Sequence, residues 1–330
     1  MKITATKLII AAVITSLLLT LLIYFVGQGY IHPEFLPDQG AAWYYWKLPE
    51  VTLGARITGW GLFVAHLLIT WFLAFKLKYN RPKPPQILNK YNVLLIITQI
   101  VFSLLHLIQT YFFYDTLAHD TPVWLSQVSV IIMLVFMMIL LNDKRGLFFG
   151  KKIKFPPVVA QTTRLIHGPY IILAVVFTFW YHPMEPSLGH LIGFFYMFLL
   201  LSQIALAHTQ AHFNKYWQFS LEFLVLIHGV AVALMVGNGM WPMFGFGFGA
   251  IAVITYIYLL NLPKFIRISL QLLYVVLAII VYTGGLNSNR NIGKIYEITF
   301  IPFIEYLLVF VFAGIFILID KAKPKKLESK

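Results

Sequence analysis

Ten apolar stretches, each roughly 18–22 residues long, recur along this 330-residue chain, near 7–26, 55–75, 92–114, 122–142, 164–181, 188–210, 217–237, 245–262, 266–283 and 300–319. A segment of that length crosses the hydrocarbon layer of a bilayer as a helix. Inside that layer no water is present to satisfy backbone N–H and C=O groups, so the spanning structure is a helix or a closed barrel. Continuous apolar runs exclude the alternating pattern of a barrel. The expectation is an all-α polytopic membrane bundle of about ten helices. Only 11% of the residues are charged, against about a quarter in a soluble domain.

Charge placement orients the bundle. With the N-terminus in the cytoplasm, 21 of the 25 Lys and Arg side chains fall on the inner side, and only Lys47, Arg56, Arg290 and Lys294 fall outside. This is the positive-inside asymmetry, and both termini are expected in the cytoplasm. The net charge of +13 then reports membrane orientation rather than nucleic-acid binding. The first run, Leu8 to Val26, is long enough to span, and no small-residue cleavage site follows it, so it reads as a retained helix rather than a signal peptide. We expect the bacterial cytoplasmic membrane as its location.

A single transmembrane domain is expected over 1–330, with a basic cytoplasmic tail at 320–330. Residues 27–54 form the longest outer loop, and Trp43, Tyr44, Tyr45 and Trp46 within it read as an interfacial aromatic belt. The basic, proline-containing inner loops should lie on anionic lipid. Phe244 to Gly249, "FGFGFG", lacks the Lys and Ser or Thr of a phosphate loop and suits close helix packing. No internal repeat of the inverted-transporter kind is visible.

The ten histidines carry the functional signal. At about 1.5 Å per helical residue they fall into layers. His66, His106 and His228 lie deep, ~15–21 Å from the cytoplasmic edge. His167, His208 and His212 lie near that edge, and His182 and His190 at the opposite one, with His32 and His119 in outer loops. A neutral imidazole has a donor and an acceptor to satisfy, and leaving such a group unpaired in an apolar interior costs ~2–7 kcal/mol. Three deep histidines on three helices therefore invite a shared ligand. Haem b needs axial imidazoles facing across a bundle; His66 and His228 match best in depth, with His106 as substitute, and His167 with His208 could hold a second haem lower down.

A divalent metal such as zinc is the other candidate. His208 and His212 are four residues apart, one face of a helix, and Glu222 could add a third ligand or act as a proton relay. "YHPMEPSLGH" places His182, Glu185 and His190 in one outer turn, a second possible metal site. Glu305 is a further intramembrane acid, and such acids point to function by default. The absence of cysteine excludes disulfides, thiolate metal sites, haem thioether attachment and cysteine nucleophiles.

The HxxxH spacing of His208 and His212 resembles that of membrane hydrolases of the progestin/adipoQ-receptor and ceramidase type, which implies zinc held by histidines on separate helices. Their Ser–His and Asp pattern is not found in order here, although Ser103 to His106, "SLLH", approaches it. Three function classes remain. The first is a b-type, possibly di-haem, redox protein moving electrons between membrane quinone and partner redox subunits. The second is a His/Glu metal-dependent, hydrolase-like intramembrane enzyme, and the third a transporter or assembly subunit without cofactor. Membrane lipid is a partner in all three.

Overall fold

A computed structural model describes residues 4–30, 34–40, 43–80, 88–237 and 239–322. Among them the chain is all-helical, with ten helices long and apolar enough to cross a membrane. In chain order these are α1 (Ala5–Gly27), α2 (Leu53–Tyr79), α3 (Lys90–Phe113), α4 (Val123–Arg145), α5 (Pro157–Tyr181), α6 (Leu188–Ala205), α7 (Lys215–Val236), α8 (Trp241–Ile254, its span completed by a 3-10 stretch to Leu260), α9 (Lys264–Tyr282) and α10 (Phe300–Ala322). This is a multi-pass membrane protein. Of the expected loop histidines, His32 lies outside the described residues.

The described residues form two compact units, Met1–Val130 with Ile171–Val236, and Ile131–Tyr170 with Gly237–Lys330. The boundary falls inside α4 and α5, each of which contributes one end to each unit.

In the first unit α3 shows how a membrane helix reverses the soluble pattern. Val93, Leu94, Ile97, Val101, Leu104 and Ile108 are exposed on it, whereas Asn92, Gln99, Ser103, His106, Gln109 and Thr110 are buried. Lipid is as apolar as a protein core, so the polar face turns inward, where neighbouring helices satisfy it. Asn89 starts the helix with a capping box: its side chain accepts from the Tyr91 and Asn92 amides, and Asn92 Oδ1 accepts from the Asn89 amide.

The amide of Asn92 reaches across to donate to the carbonyls of Ala205 (2.7 Å) and Ala207 (3.1 Å). It thereby satisfies carbonyls that a continuing α6 would have bonded internally. Thr209 adds a hydroxyl bond to the Leu206 carbonyl at 2.7 Å. Helix α6 therefore stops at Ala205 instead of running to 210 as expected, and residues 206–213 are turns.

In the second unit, buried Val135, Phe136, Met138, Ile139, Leu147, Val159, Val309, Ala313 and Phe316 form the apolar core between α4, α5 and α10. Asn142 clasps the Ile153 backbone through both its amide and its carbonyl. The last span is longer than its apolar run suggested: a 3-10 segment, Ile292–Thr299, leads directly into α10.

Candidate functional site

One end of the first unit is built from the 43–50 segment, the C-terminal ends of α3 and α5, and the start of α6. The α5–α6 turn, residues 182–187, is pinned on several sides. Thr110 Oγ1 accepts from the Met184 amide, Tyr30 donates to the Met184 carbonyl at 3.0 Å, and Tyr114 donates to Glu185 Oε2 at 2.8 Å. Gly27 at the end of α1 lies against the Pro186 ring, and a Cβ there would come within 2.7 Å of it. The facing segment is fixed through Asp115, whose Oδ1 accepts from the Leu48 amide at 2.9 Å. Burial pushes the Asp115 carboxyl up from its usual range.

Between these two fixed pieces stands Tyr44. Its hydroxyl lies 2.9 Å from His182 Nδ1 and 2.9 Å from His190 Nε2. Nδ1 of His190 in turn lies 2.8 Å from Ser187 Oγ. A phenol has one proton to donate, so the chain Ser187–His190–Tyr44–His182 has two complete orderings. In one, His182 donates to Tyr44, Tyr44 to His190 and His190 to Ser187. In the other every bond reverses.

Both orderings keep the rings neutral. Burial foremost, then His190, His228 and His106 nearby, hold His182 well below the usual imidazole range. Burial, then Tyr181 and Glu185, raises the Tyr44 phenol well above its own. Tyr181 and Trp46 pack edge-on around the group, with ring centroids 5.2 Å from Tyr44 and from His190 respectively.

Tyr44 also forms part of the wall of a cavity of about 220 Å³, lined further by Lys47, Ala118, His119, Asp120, Thr121 and Tyr181. Asp120 is held by Arg56, which donates from Nε to both carboxylate oxygens (3.0 and 3.3 Å), and by Trp60 Nε1 at 3.0 Å. These contacts set the Asp120 carboxyl below its usual value despite partial burial.

Deeper in the unit, the three mid-membrane histidines part company. His66 is buried with both ring nitrogens engaged: Nε2–H donates to Gln99 Oε1 at 2.7 Å, and Nδ1 accepts from Trp180 Nε1 at 3.1 Å. Its ring stacks on Phe102 at 4.4 Å. An imidazole so occupied has no lone pair for iron, so His66 does not fit the axial role expected of it.

His106 differs: it is fully buried, stacked on Trp180 at 4.2 Å, and neither ring nitrogen has a hydrogen-bond partner among the described residues. The His182 carbonyl lies toward this ring but outside hydrogen-bonding geometry. His228 on α7 packs against α6 where Gly193 leaves room; a Cβ there would meet Cε1 of the ring at 2.8 Å. Nδ1 of His228 is likewise unpartnered among the described residues. Of the three deep histidines, His106 and His228 thus have a ring nitrogen without a hydrogen-bond partner among the described residues.

Among the described residues no group of three or more His, Asp or Glu side chains is placed to hold a metal ion. The inner triad of His208, His212 and Glu222 is not assembled, because the helix that would align the two histidines has already ended. His208 sits in a turn at a left-handed φ of 63°, and His212 Nδ1 bonds the Gln203 carbonyl at 3.2 Å. Glu222 is buried on α7 within electrostatic reach of Tyr196.

In the outer turn His182 and His190 do converge, with ring centroids 5.8 Å apart, but on Tyr44, while Glu185 faces Tyr114. His167 belongs to the second unit and His208 to the first; His167 Nδ1 donates toward the Thr163 and Arg164 carbonyls, each at 3.1 Å. Glu305 is buried in the second unit, and it and Arg145 are both within electrostatic reach of Tyr306.

Tyr44 is the residue that the sequence reading passed over as one of four belt aromatics. The fold defines a multi-pass helical membrane protein whose polar centre is a tyrosine held between two histidines. No family model, curated protein or solved structure matches the chain.

Proposed function

We propose that this is a membrane-embedded enzyme that performs acid–base chemistry on a small substrate at the outer edge of the bilayer. Tyr44 is the group that exchanges a proton with the substrate, and His190 and His182 are its relay. The observation that carries this reading is the Tyr44 hydroxyl placed 2.9 Å from an imidazole nitrogen on either side, in a residue that also walls a cavity. A general acid or base must sit within hydrogen-bond reach of its proton partner, and either histidine can hand a proton to the Tyr44 oxygen or take one from it. The charge split along the sequence assigns this end of the first unit to the outside.

The test is a comparison of membrane lipids and quinones, by untargeted mass spectrometry, in cells expressing the native protein or Tyr44→Phe. Conversion of one compound by the native protein, lost in Tyr44→Phe and impaired in His190→Gln, is the expected result. A conversion indifferent to Tyr44 rules the reading out.

The unpartnered nitrogens of His106 and His228 favour a second reading, a redox protein with haem b on these two rings, passing electrons between quinone and partner subunits. Haem would supply one-electron chemistry there. The visible spectrum of purified protein from haem-replete cells decides it: a haem b band lost in His228→Leu supports this reading, and a colourless protein removes it.

A further inference from the structure

The acid–base reading above makes no use of Tyr181 and Lys47, which also line the Tyr44 cavity. There the Tyr181 side chain is 1% exposed, lines the cavity, and its hydroxyl has no hydrogen-bond partner among the described residues. A buried hydroxyl left without a partner is uncommon in folded proteins and calls for an explanation. Lys47 lines the same cavity. Its ammonium rests over the Trp43 ring, 3.9 Å from the centroid, and makes no ion pair among the described residues. His119 is the third side chain on this wall able to donate.

Asp120 also lines the cavity, its Oδ1 3.7 Å from His119 Nδ1. Asp120 is already held by Arg56 and Trp60. Asp115, within electrostatic reach of Lys47, already accepts from the Leu48 amide. What the Tyr181 hydroxyl lacks is an acceptor, and Lys47 has no paired acid, among the described residues.

The cavity also lies at a defined depth. It is bounded by the 118–123 turn between α3 and α4 and by the last residue of α5, so it opens where three spans end, at the level of lipid headgroups. We propose that this cavity binds a phosphate-type oxyanion, with Tyr181 donating a hydrogen bond and Lys47 supplying the charge. The inference rests on the site proposed above and deepens it by naming the substrate class: a molecule carrying a phosphate, either a phospholipid headgroup or a soluble phosphate. Charge-assisted hydrogen bonds of this kind are the stronger class.

The experiment uses the full chain in detergent micelles and measures the Kd of short-chain phosphatidic acid, with short-chain phosphatidylcholine as control and inorganic phosphate as a separate arm. Saturable binding of phosphatidic acid, weakened ~10-fold or more in Lys47→Gln and in Tyr181→Phe, is the expected result. Inorganic phosphate bound with the same dependence on both residues also supports the oxyanion site and identifies the soluble source. Binding unchanged in Lys47→Gln and in whichever Tyr181→Phe protein folds overturns the proposal, as does the absence of saturable binding to either probe.

The binding assay separates this inference from the parent reading, because it measures occupancy through Lys47 and Tyr181 and requires no turnover. Loss of the acid–base reading alone therefore leaves the binding result standing.

Discussion

The Tyr44 hydroxyl stands 2.9 Å from Nε2 of His190, across 146 residues of sequence. The segment that delivers Tyr44 is anchored through Asp115, and the turn leading to His190 through Tyr30, Thr110 and Tyr114. The contact is therefore held from both sides. Removing the hydroxyl in Tyr44→Phe leaves two imidazole nitrogens short of a partner. We expect a stability loss of ~1–3 kcal/mol, seen as a lower thermal midpoint of the purified protein, together with loss of turnover. An unchanged midpoint would show that the bridge is not formed in solution.

Acid should destabilise the first unit. The folded state holds His182 below the usual imidazole value, so the unfolded state takes up its proton first as pH falls. Stability is then present above ~6.5 and lost below it, by up to ~1.4 kcal/mol per pH unit for each such histidine. Thermal midpoints at pH 7.5 and 5.0 measure this, with a lower midpoint expected at pH 5.0. His182→Gln should flatten the dependence, and a midpoint that rises on acidification would contradict it.

His66 and His106 both pack on Trp180 and should respond oppositely to replacement. His66→Leu strands Gln99 Oε1 and Trp180 Nε1, at a cost of ~2–4 kcal/mol. His106→Leu removes two nitrogens without a hydrogen-bond partner among the described residues, and should be neutral to within ~1 kcal/mol or stabilising. Chemical denaturation of the two variants in parallel gives the comparison. A large loss in His106→Leu would mean that this ring has a partner in solution, and would strengthen the haem reading.

Orientation is predicted from charge alone. A reporter fused after Lys330 should read cytoplasmic, and one inserted at Glu50, an exposed position, should read outside. The reverse result would place the Tyr44 cavity on the cytoplasmic face.

The ten spans were legible because hydropathy is a local property: a run of apolar residues must cross the membrane whatever its neighbours do. Where a span ends is not local, and the overestimate of α6 shows why, since its stop depends on the Asn92 side chain from another helix. The division into two units was invisible because it falls within α4 and α5, which are continuous apolar helices with no linker to mark it.

The site was half legible. The outer turn was picked out from His182, Glu185 and His190, and the two histidines do meet. What they meet was not foreseen, because Tyr44 and Tyr45 are chemically identical neighbours, and only the fold turns one inward to the histidines and leaves the other exposed. His66 and His106 also looked alike as buried rings. The difference lies in Gln99 and Trp180, which come from helices that the sequence does not align.

The cap that Asn92 places on α6 bears on how the chain is made. When α6 first enters the bilayer, the carbonyls of Ala205 and Ala207 have no partner of their own in the next turn. They are completed only when α3, synthesised about a hundred residues earlier, docks beside them. The boundary of this membrane segment is thus settled after insertion, during assembly. A chain carrying Asn92→Leu would leave the insertion machinery with the end of α6 still undecided, free to wind on through His208 toward His212. Packing against α3, rather than the hydropathy of the segment, keeps those two histidines out of a common helix.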